Sequence, residues 1–172
     1  SYSSIFNLPT TGLRFFTVYG PYGRPDMSIS KFATNIVKNK KIDVFNKGNH
    51  YRDFTYIDDI IKSISLIIKK IPSKRSIKKK EFQPDESDAP FNLINIGGAT
   101  SIKLTQYISL IEKNLKKKSK KNLMSLQKGD VIKTQACNKK IKRLINFTPK
   151  TSIQSGIKNY IQWFKKYYNI NE

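Results

Sequence analysis

Cysteine occurs once in these 172 residues, at Cys137, and histidine once, at His50. A single cysteine excludes an internal disulfide and points to a reducing compartment. A lone histidine, with no cysteine or second histidine at ligand spacing, argues against a metal site. No apolar run approaches the ~18 residues of a membrane-spanning helix. The first residues lack the basic-then-apolar pattern of a signal peptide. A cytoplasmic location, with no membrane or metal partner, is therefore the expectation. Acidic side chains are also scarce, 12 Asp+Glu against 33 Lys+Arg, for a net charge of +21.

That excess suits an anionic partner. The lysines are spread along the whole chain, however, and the local runs at Lys78–Lys80, Lys116–Lys118 and Lys120–Lys121 have no aromatics alternating with them. A stacking platform for nucleic acid needs that alternation, so nucleic acid is not the expected partner. The length allows one domain with a real core. The chain lacks an initiator Met, and the reading is of a piece of a longer protein.

Leu13 to Val18 is an apolar run that ends at Gly20-Pro21 and Gly23, with Pro25 close behind. It predicts a strand within Thr10–Val18 running into an irregular loop, the place where ligands bind in an open α/β sheet. Before it, Ser1–Asn7 reads as a helix tail ended by Pro9. Ile29, Phe32, Ala33, Ile36 and Val37 predict an amphipathic helix over 28–39. Lys41–Asn46 is a short strand with Ile42 and Val44 on one side and Phe45 on the other. Tyr51–Ile57 is extended, and Asp58 is expected to cap a helix reaching Lys70, with Asp59 in its first turn. That helix carries Ile60, Ile61, Ile64, Ile67 and Ile68 on one face. Residues 72–89 are poor in apolar side chains and read as an exposed loop. Phe91–Ile96 is a strand, and Thr100 or Ser101 caps a helix carrying Ile102, Leu104, Tyr107, Ile108, Ile111 and Leu115. Leu123–Leu126 is extended, 138–144 a short helix, and 153–168 a last amphipathic helix. Strands and helices are mixed in order, which makes the fold class α/β.

Among ionisable groups, Arg24, Arg52 and Asp130 stand in loops or at strand ends. A guanidinium suits phosphate or carboxylate, and a carboxylate after Gly129 can accept two hydrogen bonds from a sugar diol. His50 has no evident orienting partner and reads as a surface turn residue. Cys137 reads as a small packing residue. Asn92 and Asn95, inside the apolar strand, either satisfy backbone groups or approach a ligand.

Five stretches occur together: Leu8-Pro9-Thr10-Thr11-Gly12-Leu13-Arg14-Phe15-Phe16-Thr17-Val18-Tyr19-Gly20-Pro21, Gly23-Arg24-Pro25-Asp26-Met27, Arg52-Asp53-Phe54-Thr55-Tyr56-Ile57-Asp58-Asp59-Ile60, Asn95-Ile96-Gly97 and Gln127-Lys128-Gly129-Asp130-Val131. In order and spacing they resemble the C-terminal part of the extended short-chain dehydrogenase/reductases, the NAD-dependent epimerase/dehydratase family. Within it, Arg24-Pro25-Asp26-Met27 is most similar to the UDP-glucuronate 4-epimerases. The resemblance implies the C-terminal part of a Rossmann-like protein, mainly its mixed α/β substrate-binding subdomain. Residues 1–27 would end the Rossmann-like domain and form the active-site loop. Residues 28–172 would form the nucleotide-sugar subdomain, with 72–90 an exposed loop.

The implied activity is interconversion of UDP-glucuronate and UDP-galacturonate, by oxidation at C4 with bound NAD, rotation of the ketosugar and hydride return. Such a cytoplasmic isomerase would serve polysaccharide biosynthesis, as a homodimer at full length. By the same resemblance Thr17 and Arg24 face the substrate carboxylate, Arg52 binds the UDP phosphates, and Asp130 the uridine ribose with Gln127 nearby. Val44 and Phe45 lie along the uracil, and Phe16 abuts the nicotinamide. The family's Tyr-x-x-x-Lys is absent, since none of the nine tyrosines has Lys four residues later, and so is its Gly-x-x-Gly-x-x-Gly turn. No catalytic residue is therefore assigned in this chain, and the chain alone is expected to be inactive. Lys128 stands where the family more often has Pro, which leaves that loop less rigid. The competing readings are another dehydratase, decarboxylase or epimerase of the same family, and a basic polyanion-binding module.

Overall fold

A computed structural model describes residues 1–74 and 87–170. The first apolar run does not form one strand. Backbone pairing divides it into β1 (Thr10–Phe15) and β2 (Thr17–Tyr19), with Phe16 between them. β1 pairs in parallel with β5 (Phe91–Ile96), from Thr10 opposite Phe91 to Phe15 opposite Ile96. β2 leaves that sheet and pairs in parallel with β4 (Tyr51–Tyr56), Thr17 opposite Phe54. The Phe16 amide still donates to the Ile96 carbonyl at 3.1 Å, so the crossing takes one residue.

A second departure from expectation lies after Gly97-Gly98. Ser101–Lys103 is not a helix start but strand β6, antiparallel to β4, with Arg52 opposite Ile102. Neither Thr100 nor Ser101 caps the helix that follows, α4 (Leu104–Leu115), whose N-cap position is Lys103. Pairing to a strand far away in sequence has overridden a good local capping signal, as tertiary context commonly does. The third sheet pairs β3 (Lys41–Val44) with β7 (Lys120–Leu123), again in parallel.

The helices around these sheets are α1 (Tyr2–Phe6), α2 (Ser28–Val37), α3 (Ile57–Ile67), α4, α5 (Lys139–Ile145) and α6 (Ile153–Tyr167). Two buried clusters form the core. The larger joins α2, α4 and α6 to β2, β3 and β4. At its centre Phe54 and Tyr107 stack face to face, centroids 3.9 Å apart and planes 3° from parallel. The Tyr19 ring meets both edge-on. Such ring pairs add about 0.5–1.5 kcal/mol beyond area burial. A side chain at Gly156 on α6 would run into the Tyr19 hydroxyl, so that helix lies against β2 only because residue 156 has no Cβ. α6 begins with Ser152, whose hydroxyl accepts from the Ser155 amide at 3.2 Å, a cap of about 1 kcal/mol. The smaller cluster packs Ile60 and Ile67 of α3 and Ile141 of α5 on Ile94 and Ile96 of β5.

Several expectations need correction here. Asp58 is not an N-cap: Tyr56 occupies that position, with no side-chain cap bond. Asp59 is buried, and its Oδ2 accepts from the backbone amides of Lys150 (3.1 Å) and Thr151 (2.8 Å), tying α3 to the approach to α6. α3 ends at Ile67, and Ile61 and Ile68 are exposed. Cys137 is exposed and does not pack. Of the expected loop at 72–90, residues 75–86 lie outside the described residues. Among the described residues, no helix is long and apolar enough to cross a membrane, and no group of three His, Cys, Asp or Glu could hold a metal.

Candidate functional site

A cavity of about 440 Å³ opens between β2, α2, the turn after β3, and β4. It is lined by Thr17, Lys31, Phe45, His50, Arg52 and Asp130, together with Asp26, Ser28, Phe32, Asn35, Ile42, Asp43, Phe54 and Leu104. Each element delivers its residues through its own periodicity. Ser28, Lys31, Phe32 and Asn35 recur at three- and four-residue steps and so share one face of α2. His50 and Arg52 are two apart at the start of β4 and point the same way. Phe45 follows β3 in a short 3₁₀ turn (Phe45–Gly48) whose Asn46 and Lys47 adopt positive φ. Asp130 follows a turn closed by its own amide on the Gln127 carbonyl, 3.2 Å. Gly129 takes φ +81 there, a conformation that L side chains seldom adopt.

The charged floor is built from contacts distant in sequence. Arg52 Nη2 donates to Asp130 Oδ1 at 2.6 Å, and its Nη1 donates to the carbonyls of Tyr51 (3.2 Å) and Ile132 (3.3 Å). His50 is not a surface residue: it is 4% exposed, and its Nε2 lies 3.4 Å from Asp130 Oδ2. The segment 130–134 covers it, held by the Tyr51 amide on Ile132 O (2.8 Å) and the Thr134 amide on Tyr51 O (3.1 Å). Beneath this floor, the Asp53 carboxylate accepts from the amides of Gly98 (2.7 Å) and Ala136 (2.8 Å). Burial pushes its pKa up, with those backbone donors working against the rise.

Of the residues expected at the site, Thr17, Phe45, Arg52 and Asp130 come together in this cavity. Val44 does not line it: its side chain is 1% exposed and belongs to the larger core cluster, although Ile42, on the same side of β3, does reach the cavity. Gln127 is exposed and contributes its carbonyl to the turn before Asp130. Arg24 lies outside the lining. Its Nε and Nη2 both bind the carboxylate of Asp26, itself a wall residue, so the exposed pair sits at the cavity's rim. Asp26 is held below, and Arg24 above, its ordinary pKa by this bond. Phe16 opens on a neighbouring cleft of about 450 Å³, lined by Arg14, Phe15, Phe16, Thr17, Asn95 and Thr134 at the ends of β1 and β5. Thr17 lines both spaces. Asn95 lines this cleft, while Asn92 is buried.

His50, read from the sequence as a surface turn residue, stands on this wall, as do Lys31, Asp26, Ser28, Asn35 and Asp43, none of which the sequence reading placed at the site. The signals were present: His50 is two residues before Arg52 on an extended segment, and Lys31 stands beside Phe32 on the helical face already recognised.

Residues 1–79 match the NAD dependent epimerase/dehydratase family. The chain is 46% identical over 169 residues to Protein CapI of Staphylococcus aureus, covering 98% of this chain and 51% of that protein. It is 36% identical to a probable UDP-glucuronate 4-epimerase of Rhizobium meliloti, covering 98% of this chain and 50% of that one. Among solved structures, the UDP-glucuronic acid 4-epimerase of Bacillus cereus, in complex with UDP-glucuronic acid and NAD, superposes with a TM-score of 0.80 at 30% identity, over 97% of this chain and 48% of its own. The Thermotoga maritima UDP-glucose 4-epimerase shares the fold at 22% identity and TM-score 0.80. The chain spans about half the length of the curated relatives it matches. Over residues 1–79 it is thus similar to the NAD dependent epimerase/dehydratase family, and over nearly its whole length it is similar to one part of UDP-glucuronate 4-epimerases.

Proposed function

We propose that this chain is the nucleotide-sugar-binding part of an NAD-dependent UDP-sugar 4-epimerase that interconverts UDP-glucuronate and UDP-galacturonate. The observation that carries the reading is Thr17, which lines both the Arg52–Asp130 cavity and the Phe16 cleft. A sugar seated at Thr17 would have its nucleotide on one side and a cofactor ring on the other.

On this reading residues 28–172 hold the nucleotide sugar and 1–27 reach the cofactor side. Arg52 meets the diphosphate bidentately, as a planar guanidinium does. Asp130 accepts from the ribose hydroxyls, and Phe45 covers one face of the base. Thr17 donates to the sugar's carboxylate, and Arg24 turns to it from the rim. Phe16 is a flat aromatic face at the ends of parallel strands, a surface that fits a nicotinamide ring. NAD, when bound, supplies the hydride acceptor and donor at C4. Within this chain Phe16 and Thr17 do the orienting, and no residue of it is assigned as the base. The isolated chain therefore binds UDP-sugars and does not epimerise them; a homodimeric, cytoplasmic full-length enzyme is the corresponding proposal.

Calorimetric titration with UDP, UDP-glucuronate and UDP-glucose tests this. Binding of UDP, with UDP-glucuronate preferred over UDP-glucose, is expected. No binding of any of the three overturns it.

A further inference from the structure

Arg52 and Asp130 cannot keep their mutual ion pair and both serve a nucleotide. The guanidinium that meets a diphosphate must turn Nη2 away from Asp130 Oδ1, where it now sits at 2.6 Å. That leaves a carboxylate only 31% exposed without its charged donor, a loss larger than that of an ordinary hydrogen bond. One buried nitrogen is already in place to compensate. His50 Nε2 makes no hydrogen bond, and it lies 3.4 Å from the other carboxylate oxygen, Oδ2. A histidine buried only for packing would turn its nitrogens to partners or its ring to apolar atoms, whereas this one faces a carboxylate across a cavity wall. Hydrogen bonds of ligand sites are commonly long and misaligned before the ligand arrives.

We propose, resting on the nucleotide-sugar reading above, that His50 is a positioning residue that takes Asp130 over from Arg52 when the nucleotide binds. With its proton on Nε2, the imidazole donates to Oδ2 and holds the carboxylate toward the ribose diol, while Arg52 turns to the diphosphate. The ligand class is a ribonucleoside diphosphate with both ribose hydroxyls free.

Titration of the chain with UDP and with uridine, which has the diol but no diphosphate to draw Arg52 away, separates this role from a structural one. His50→Leu is expected to weaken UDP about tenfold and to change uridine by less than about twofold. His50→Gln restores an N–H donor and recovers most of the UDP affinity. Equal losses on both ligands, or none on either, overturn the proposal. The parent chain supplies a check that needs no variant to fold. Its single histidine gives one set of imidazole resonances, which UDP displaces and uridine leaves near their free positions. Equal displacement by the two ligands overturns the role. A parent chain that binds neither ligand overturns the nucleotide-sugar reading itself.

Discussion

Arg52 and Asp130, 78 residues apart in sequence, meet at 2.6 Å inside the cavity. Each therefore restrains the other. Arg52→Ala removes the phosphate partner and is expected to weaken UDP by about 10- to 100-fold, the effect of losing a charged hydrogen bond. Asp130→Ala is expected to cost less, because it also releases Arg52. Calorimetry on the two variants checks the order, and a larger loss at Asp130 would contradict it.

Arg24 and Asp26 form a similar but exposed pair at the rim. Arg24→Ala is expected to reduce the preference for UDP-glucuronate over UDP-glucose on the order of tenfold, leaving UDP itself unaffected. Asp26→Asn should move the preference the other way, since it frees the guanidinium. Competitive binding of the two sugars reads both.

Asp53 holds two backbone amides from segments that flank the site, Gly98 and Ala136. Asp53→Ala leaves both without an acceptor and is expected to destabilise by about 2–6 kcal/mol, at roughly 1–3 kcal/mol per buried unsatisfied group. Asp53→Asn, which keeps one acceptor oxygen, should fall between. Urea denaturation followed by tyrosine and tryptophan fluorescence measures it.

Glu112 gives an acid limb with a defined sign. Burial works to raise its pKa, but hydrogen bonds from the Ser119 hydroxyl and amide and from Lys121 together hold it below its ordinary 4.5. A carboxyl depressed in the folded state binds fewer protons folded than unfolded, so its contribution is present above pH 4.5 and lost as pH falls below it. Glu112→Gln should lower stability at neutral pH and flatten the decline below pH 4.5. Melting temperature against pH, parent beside variant, shows whether the two curves converge in acid.

Gly156→Ala places a methyl group against the Tyr19 hydroxyl and is expected to cost about 1–3 kcal/mol through overpacking. A second change, Tyr19→Phe, removes the clashing oxygen and should recover part of that loss. Thermal denaturation of the single and double variants makes the comparison.

The helices were legible because their apolar spacing is theirs alone. Ile29, Phe32, Ala33 and Ile36 on α2, and Ile157, Tyr160, Ile161 and Phe164 on α6, are all buried as their periodicity requires. The resemblance to the epimerase/dehydratase family was legible too, since its motifs are contiguous. What could not be read were properties set by partners distant in the chain. Leu13 to Tyr19 is one apolar run, and nothing local marks Phe16 as the residue where pairing passes from β5 to β4. Ser101 looks like a cap until β4 claims it as a strand. His50 looks solvent-facing until 130–134 folds over it, and Val44 looks like a neighbour of Phe45 at the site until the larger cluster buries it. Thr17, Phe45, Arg52 and Asp130 were selected one by one, but the Arg52–Asp130 bond needed the fold.

The one-residue step at Phe16 also has a mechanical consequence. β1 packs through Leu13 on the smaller cluster, while β2 divides between the two, Val18 on the smaller and Tyr19 in the larger, so a twist of either sheet against its neighbour is taken up in the backbone torsions around Phe16. That pivot lies at the wall shared by the cavity and the cleft. A molecule that fills either space is expected to stiffen this step, and slowed amide exchange at Phe16 and Thr17 is where the stiffening would register.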